Sequence, residues 1–117
     1  MADLEQGLVA KHFENRLPKV RAIYDAVLAA AKDFGDVREE PKKTSIHLVH
    51  HSAFAGVATR RDTLILTVKA ESDIASDRVI KHEQASRNRW HLEIRLSSPV
   101  EVDQELRGWL QRSFELS

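Results

Sequence analysis

The sequence predicts an α+β fold: an antiparallel sheet of about four or five strands with helices packed on one face, a two-layer sandwich. Three observations predict it. Between Pro41 and Ala70, three short strand-like runs follow one another across two tight turns. From Trp90 to Leu96, apolar and polar residues alternate without a break. Two further segments, one after Pro18 and one near the C-terminus, carry apolar stripes at helical spacing.

Taken in order, residues 4–16 predict a short helix, since Leu4, Leu8, Val9 and Phe13 recur at helical spacing, although Gly7 weakens it. Pro18 suits the first turn of a second helix, where its missing N–H costs nothing. Val20, Ile23, Tyr24, Val27, Leu28, Ala31 and Phe34 then form one continuous stripe, and Gly35 predicts a left-handed cap. Val37–Glu39 suggests a short edge strand before Pro41.

The first main strand is expected over Ser45–Val49, with Ile46 and Leu48 facing inward and Ser45, His47 and Val49 outward. His50-His51-Ser52 makes the turn into Ala53–Thr59. The residues of that second strand are small on both sides apart from Phe54, so alternation assigns no face, and Gly56 suggests a bulge or a close backbone approach. After the turn Arg60-Arg61-Asp62, Thr63–Lys69 turns Leu64, Leu66 and Val68 inward and Thr63, Ile65, Thr67 and Lys69 outward. Glu71–Asn88 reads as a long irregular connection anchored by Ile74, Val79 and Ile80. Trp90, Leu92, Ile94 and Leu96 then point inward, and His91, Glu93 and Arg95 outward. Ser98-Pro99-Val100-Glu101 has the form of a capping box with proline at the first helical position. The last helix carries Val102, Leu106, Trp109, Leu110 and Phe114 as its stripe.

The 117 residues suit one domain, residues 1–117, with 1–17 as an N-terminal helical extension and 18–117 as the α+β core. There are no cysteines, which excludes disulfides, thiolate metal sites and thiol nucleophiles and fits a cytoplasmic setting. No apolar run reaches the roughly 18 residues a membrane span needs, so no membrane partner is expected. The charges balance overall, but not locally. Residues 1–40 hold six basic against eight acidic side chains, residues 41–95 ten against six, and residues 96–117 two against four. The basic middle also carries five of the six histidines.

That asymmetry points to an anion-facing sheet between acidic helices. Lys42, Lys43, His47, His91 and Arg95 are the candidate ligand-binding residues, facing an anionic or polar small molecule or a nucleic-acid phosphate. Against nucleic acid stands the absence of an aromatic stacking pair on the outer face. His47, His91 and Glu93 would form a metal site only if their strands were neighbours, and no ligand motif supports one. No cofactor fingerprint is present: there is no GxSxG elbow, no SxxK and no phosphate loop, and the four glycines, at 7, 35, 56 and 108, are too scattered for one. No catalytic residue is therefore assigned. A homodimer or protein–protein module using the same outer face, with Ile65 and Val49 as its apolar part, is the competing expectation.

Several segments together resemble a known family: REEPKKTSIHLV, AFAGV, LILTVKA and NRWHLEIRLSSPVEVDQEL, followed by the amphipathic helix. They are similar to an uncharacterised bacterial domain-of-unknown-function family, number 5655, over about Val20 to Phe114. Pro41-Lys42-Lys43-Thr44 and Ile94-Arg95-Leu96-Ser97 are the most specific pieces. The resemblance implies a single domain of this fold. It carries over no catalytic residue and no ligand.

Overall fold

The computed structural model describes the chain from Ala2 to Ser117, with side chains from Leu4 onward. Six strands form one antiparallel sheet: β1 (Arg38–Pro41), β2 (Ile46–Val49), β3 (Ala53–Thr59), β4 (Leu64–Ala70), β5 (Val79–Ser86) and β6 (Arg89–Leu96). Across the sheet they run β1-β2-β3-β4-β6-β5. The helices are α1 (Ala2–Lys11), α2 (Pro18–Lys32) and α3 (Gln104–Glu115).

The sheet has one strand more than the pattern predicts. The addition is β5, which occupies most of the segment expected to be irregular. Its residues after Val79 are all exposed, because it lies at a sheet edge with no layer over it, so the sequence carries no alternation there to find. The remaining connection, from Glu71 to Arg78, is held down at three points. Ile74 packs against the core, Asp73 Oδ1 lies 2.5 Å from His82 Nδ1 of β5, and the Arg78 guanidinium donates to both oxygens of Asp103 at 2.9 and 3.1 Å, to Glu105 and to the Glu101 carbonyl. It also stands over the Trp109 ring, 5.6 Å from its centre.

One face of the sheet makes the core. Ile46, Leu48, Val57, Leu64, Leu66, Val68, Leu92, Ile94 and Leu96 meet Val20, Ile23, Tyr24 and Val27 of α2 and Leu106, Trp109 and Leu110 of α3. The inward positions expected for β2, β4 and β6 are buried except Trp90, which sits half-buried at the end of β6 opposite Ala70. Val49 and Ile65, expected to face outward, are buried as well, outside the main core cluster.

Two local features depart from simple alternation. The ladder between β2 and β3 slips, pairing Leu48 with Ala55 but Val49 with Ala53. Phe54 is the extra residue of this bulge, and it turns its ring into the core, edge-on to Phe114 at 5.3 Å. The bulge thus falls at Phe54 rather than at Gly56. Fully buried Ser113 of α3 fills the gap in the β3–β4 ladder, accepting from the Lys69 N–H at 2.8 Å and donating to the Phe54 carbonyl. Gly35 does not cap α2 in the left-handed region. The cap is Asp33, in helical geometry, and Gly35 follows at φ 159°. Its lack of a side chain serves packing, for a Cβ there would come within 2.9 Å of the Phe114 ring.

The termini follow their local chemistry. α1 stops at Lys11, short of the expected boundary, and Asn15 takes φ 60° in the turn to α2, a conformation asparagine tolerates. Residues 9–17 are tied to the body: Val9 is in the core, Phe13 packs on Tyr24 at 5.2 Å, and the Leu17 N–H donates to the Arg61 carbonyl at 2.8 Å. The capping box at Ser98 forms as expected, but it starts a single 3-10 turn, Pro99–Glu101, and α3 begins afresh with Asp103 as its own N-cap.

Candidate functional site

The outer face of the sheet carries no helix among the described residues. There the register lines up Glu40, His47, Gly56, Thr67, Glu93 and Lys81 in one row across all six strands. Lys69 and His91 stand side by side in the next row. A groove of about 360 Å3 runs over the centre of this face. Gly56, Ala58 and the backbone of β3 form its floor, Ser45 and His47 one rim, Thr67 and Lys69 its middle, and His91 the far rim. His47 and His91 are three strand spacings and one row apart, or about 16 Å.

Small residues make this groove. Gly56 occupies the middle of a central strand, where glycine costs roughly 0.5–1 kcal/mol relative to alanine. Nothing in the packing requires it. Its φ is ordinary, and a Cβ would meet only the Thr67 Cβ at 3.8 Å, a normal contact. The absent side chain leaves open space and a bare stretch of peptide backbone on the outer face.

The electrostatics are sparse. Lys69 is half-buried and, among the described residues, pairs with no carboxylate. Its neighbours are paired: Lys81 lies 3.8 Å from Glu93, and His91 Nδ1 lies 3.7 Å from Glu83. Lys69 is thus the one permanently charged side chain in the lining, and its charge is uncompensated.

The five residues expected to share a site fall in three places. His47 and His91 line the groove. Arg95 lies on the same face but opposite Ile65, four residues along β6 from His91 and about 13 Å away, outside the lining. Lys42 and Lys43 belong to the β1–β2 turn, where with Leu8, Lys11, His12 and Pro41 they line a separate cleft of about 350 Å3. Lys42 also reaches Glu40 at 3.4 Å. His47, His91 and Glu93 do not converge, because β3 and β4 lie between the strands that carry the histidines. Among the described residues no three His, Asp or Glu side chains gather at metal-binding distance.

Lys69, Thr67, Ser45 and Gly56 are the groove residues absent from the expected site. Alternation already puts Lys69, Thr67 and Ser45 on the outer face with the histidines. What the sequence lacks is the strand order that makes β4 the neighbour of β6 and sets Lys69 opposite His91.

Fold and groove together define a two-layer α+β domain whose sheet is open on one side. The chain belongs to the family described as Domain of unknown function (DUF5655), whose model matches residues 9–117, as the segments quoted above imply. No curated protein and no solved structure matches the chain.

Proposed function

We propose that this domain is a binding module, and that the groove on the open sheet face receives a small anionic or polar ligand. The observation that carries the reading is Lys69: a half-buried, unpaired ammonium over a floor of glycine, alanine and peptide backbone. Location decides between Lys69 and the other cations. Two unit charges about 4 Å apart attract by ~1 kcal/mol in water but ~4 kcal/mol at the effective dielectric of a partly buried position. An anion gains correspondingly more beside Lys69 than beside exposed Lys43 or Arg95. Ser45 and Thr67 add hydroxyls that donate or accept, and His47 and His91 add imidazoles at the rims.

Calorimetry with a panel of small carboxylates and phosphate monoesters tests this. Lys69→Met is expected to weaken the tightest interaction about tenfold, while Lys43→Met and Arg95→Met leave it within twofold. Equal losses in all three variants would indicate diffuse attraction to the whole surface and overturn the groove as the site.

Ile65, the residue expected to carry a homodimer through the same face, is only 8% exposed in the single chain and leaves a partner little apolar surface to cover.

A further inference from the structure

We infer that the groove is shaped for a flat aromatic ring bearing a single acidic group, and that Gly56 is the residue that sets its depth. The inference rests on the groove being the ligand site and adds the class of ligand. Three observations carry it.

The first is the unforced glycine. At Gly56 neither the backbone angle nor a neighbouring atom requires glycine, since the nearest contact for a Cβ is the Thr67 Cβ at 3.8 Å. Glycine in a strand interior is weakening, and it frequently marks close approach of a ligand or another backbone. The second is what stands around it. The positions beside Gly56 are His47 and Thr67, and the only large ring of β3, Phe54, is turned away into the core by the bulge. The floor is therefore glycine, alanine and backbone, and His47 at its rim brings an imidazole ring against which a second ring can stack. The third is charge. Lys69 supplies one fixed positive charge at the middle of the lining. A ring on the Gly56–Ala58 floor would place a carboxylate substituent toward that ammonium, with Thr67 beside it.

Three probes at one ionic strength test this: naphthoate, decahydronaphthalenecarboxylate and inorganic phosphate, with amide shifts reporting where each binds. The first two share the charge and the carbon skeleton and differ in flatness, and the third has charge without a ring. Naphthoate is expected to bind at least tenfold more tightly than its saturated counterpart, with shifts at His47, Gly56, Thr67 and Lys69. Gly56→Val is expected to abolish that preference while keeping or raising the melting temperature, because valine suits a strand. Groove shifts with equal affinity for the two carboxylates would overturn the inference and leave the groove as a general anion site. So would a Gly56→Val protein that binds naphthoate undiminished. Shifts confined to other parts of the protein, or no shifts with any probe, would overturn both the inference and the groove reading. The comparison of the two carboxylates uses the unmodified protein, so it does not depend on the variant folding.

Discussion

Ser113 shows how one side chain holds this fold in register. Its hydroxyl bridges the Lys69 N–H and the Phe54 carbonyl where the bulge has parted two strands; the bond to Phe54 is buried and the one from Lys69 partly so. Ser113→Ala leaves a partly buried donor and a buried acceptor unpaired. It should cost about 1–3 kcal/mol in denaturant unfolding, and a loss within error would mean that the ladder closes without it. Because the bridge ends at the Lys69 backbone, Ser113 also fixes the strand that carries the groove's cation. Gly35 is constrained differently. Gly35→Ala drives a methyl toward a Phe114 ring already packed by Phe34, Phe54 and His50, so overpacking should cost about 1–3 kcal/mol. At the start of α3, the Asp103 carboxylate accepts from the Leu106 N–H and pairs with Arg78, and these hold its pKa below the usual carboxylate range. A lowered folded-state pKa contributes stability above the unfolded value, near about 4, and loses it as pH falls through the folded value. Asp103→Asn should therefore flatten the fall in stability below about pH 4, a difference that thermal melts at a series of pH values would measure. Tyr24 is shifted the other way: burial, then its 2.5 Å hydrogen bond to Glu39, push the phenol up, so it donates as a neutral group.

At the scale of elements, the contrast between β5 and β6 decides what the sequence reveals. β6 is central, with one face on the core, and its burial alternates as its residues do. β5 is an edge strand with two register shifts against β6 and a single buried residue, so VIKHEQAS looks like a polar loop. The same distinction separates the two tryptophans that share the apolar pattern. Trp109 is 8% exposed, in α3 between the sheet and Arg78, and Trp109→Ala should cost about 3–5 kcal/mol. Trp90 sits at the open end of β6, and Trp90→Ala should cost clearly less in the same unfolding experiment. Equal losses would mean that Trp90 is covered more fully than its position indicates. Helical stripes, capping residues and strand alternation were legible because each is a local consequence of which side faces the core. The bulge at Phe54 was not, because it arises from pairing between two strands. The 3-10 break before α3 was hidden too, since the capping box and Asp103 both signal a helix start within a few residues of each other.

Across the whole molecule, folding disperses the basic middle of the sequence. Lys42 and Lys43 go to the β1–β2 turn, Arg78 is taken up by Asp103 and Glu105, Lys81 faces Glu93, and Lys69 alone enters the groove. An excess of charge along the chain thus becomes one cation at the centre of an open face. Half of the proposed site was visible in sequence, because His47 and His91 fall on the right face by alternation. The other half depended on strand order, which places β4 between β3 and β6. Such a site suits a small monoanion better than a polyanion, so short single-stranded nucleic acid should leave the groove amides unmoved at moderate salt. The most direct test of the groove as the ligand site is an amide titration of isotope-labelled protein with small carboxylates. The predicted result is saturable shifts at His47, Gly56, Thr67, Lys69 and His91, with Lys11, Lys43 and Arg95 unchanged. Shifts centred instead on the cleft of Lys11, Lys42 and Lys43, with a silent groove, would contradict it.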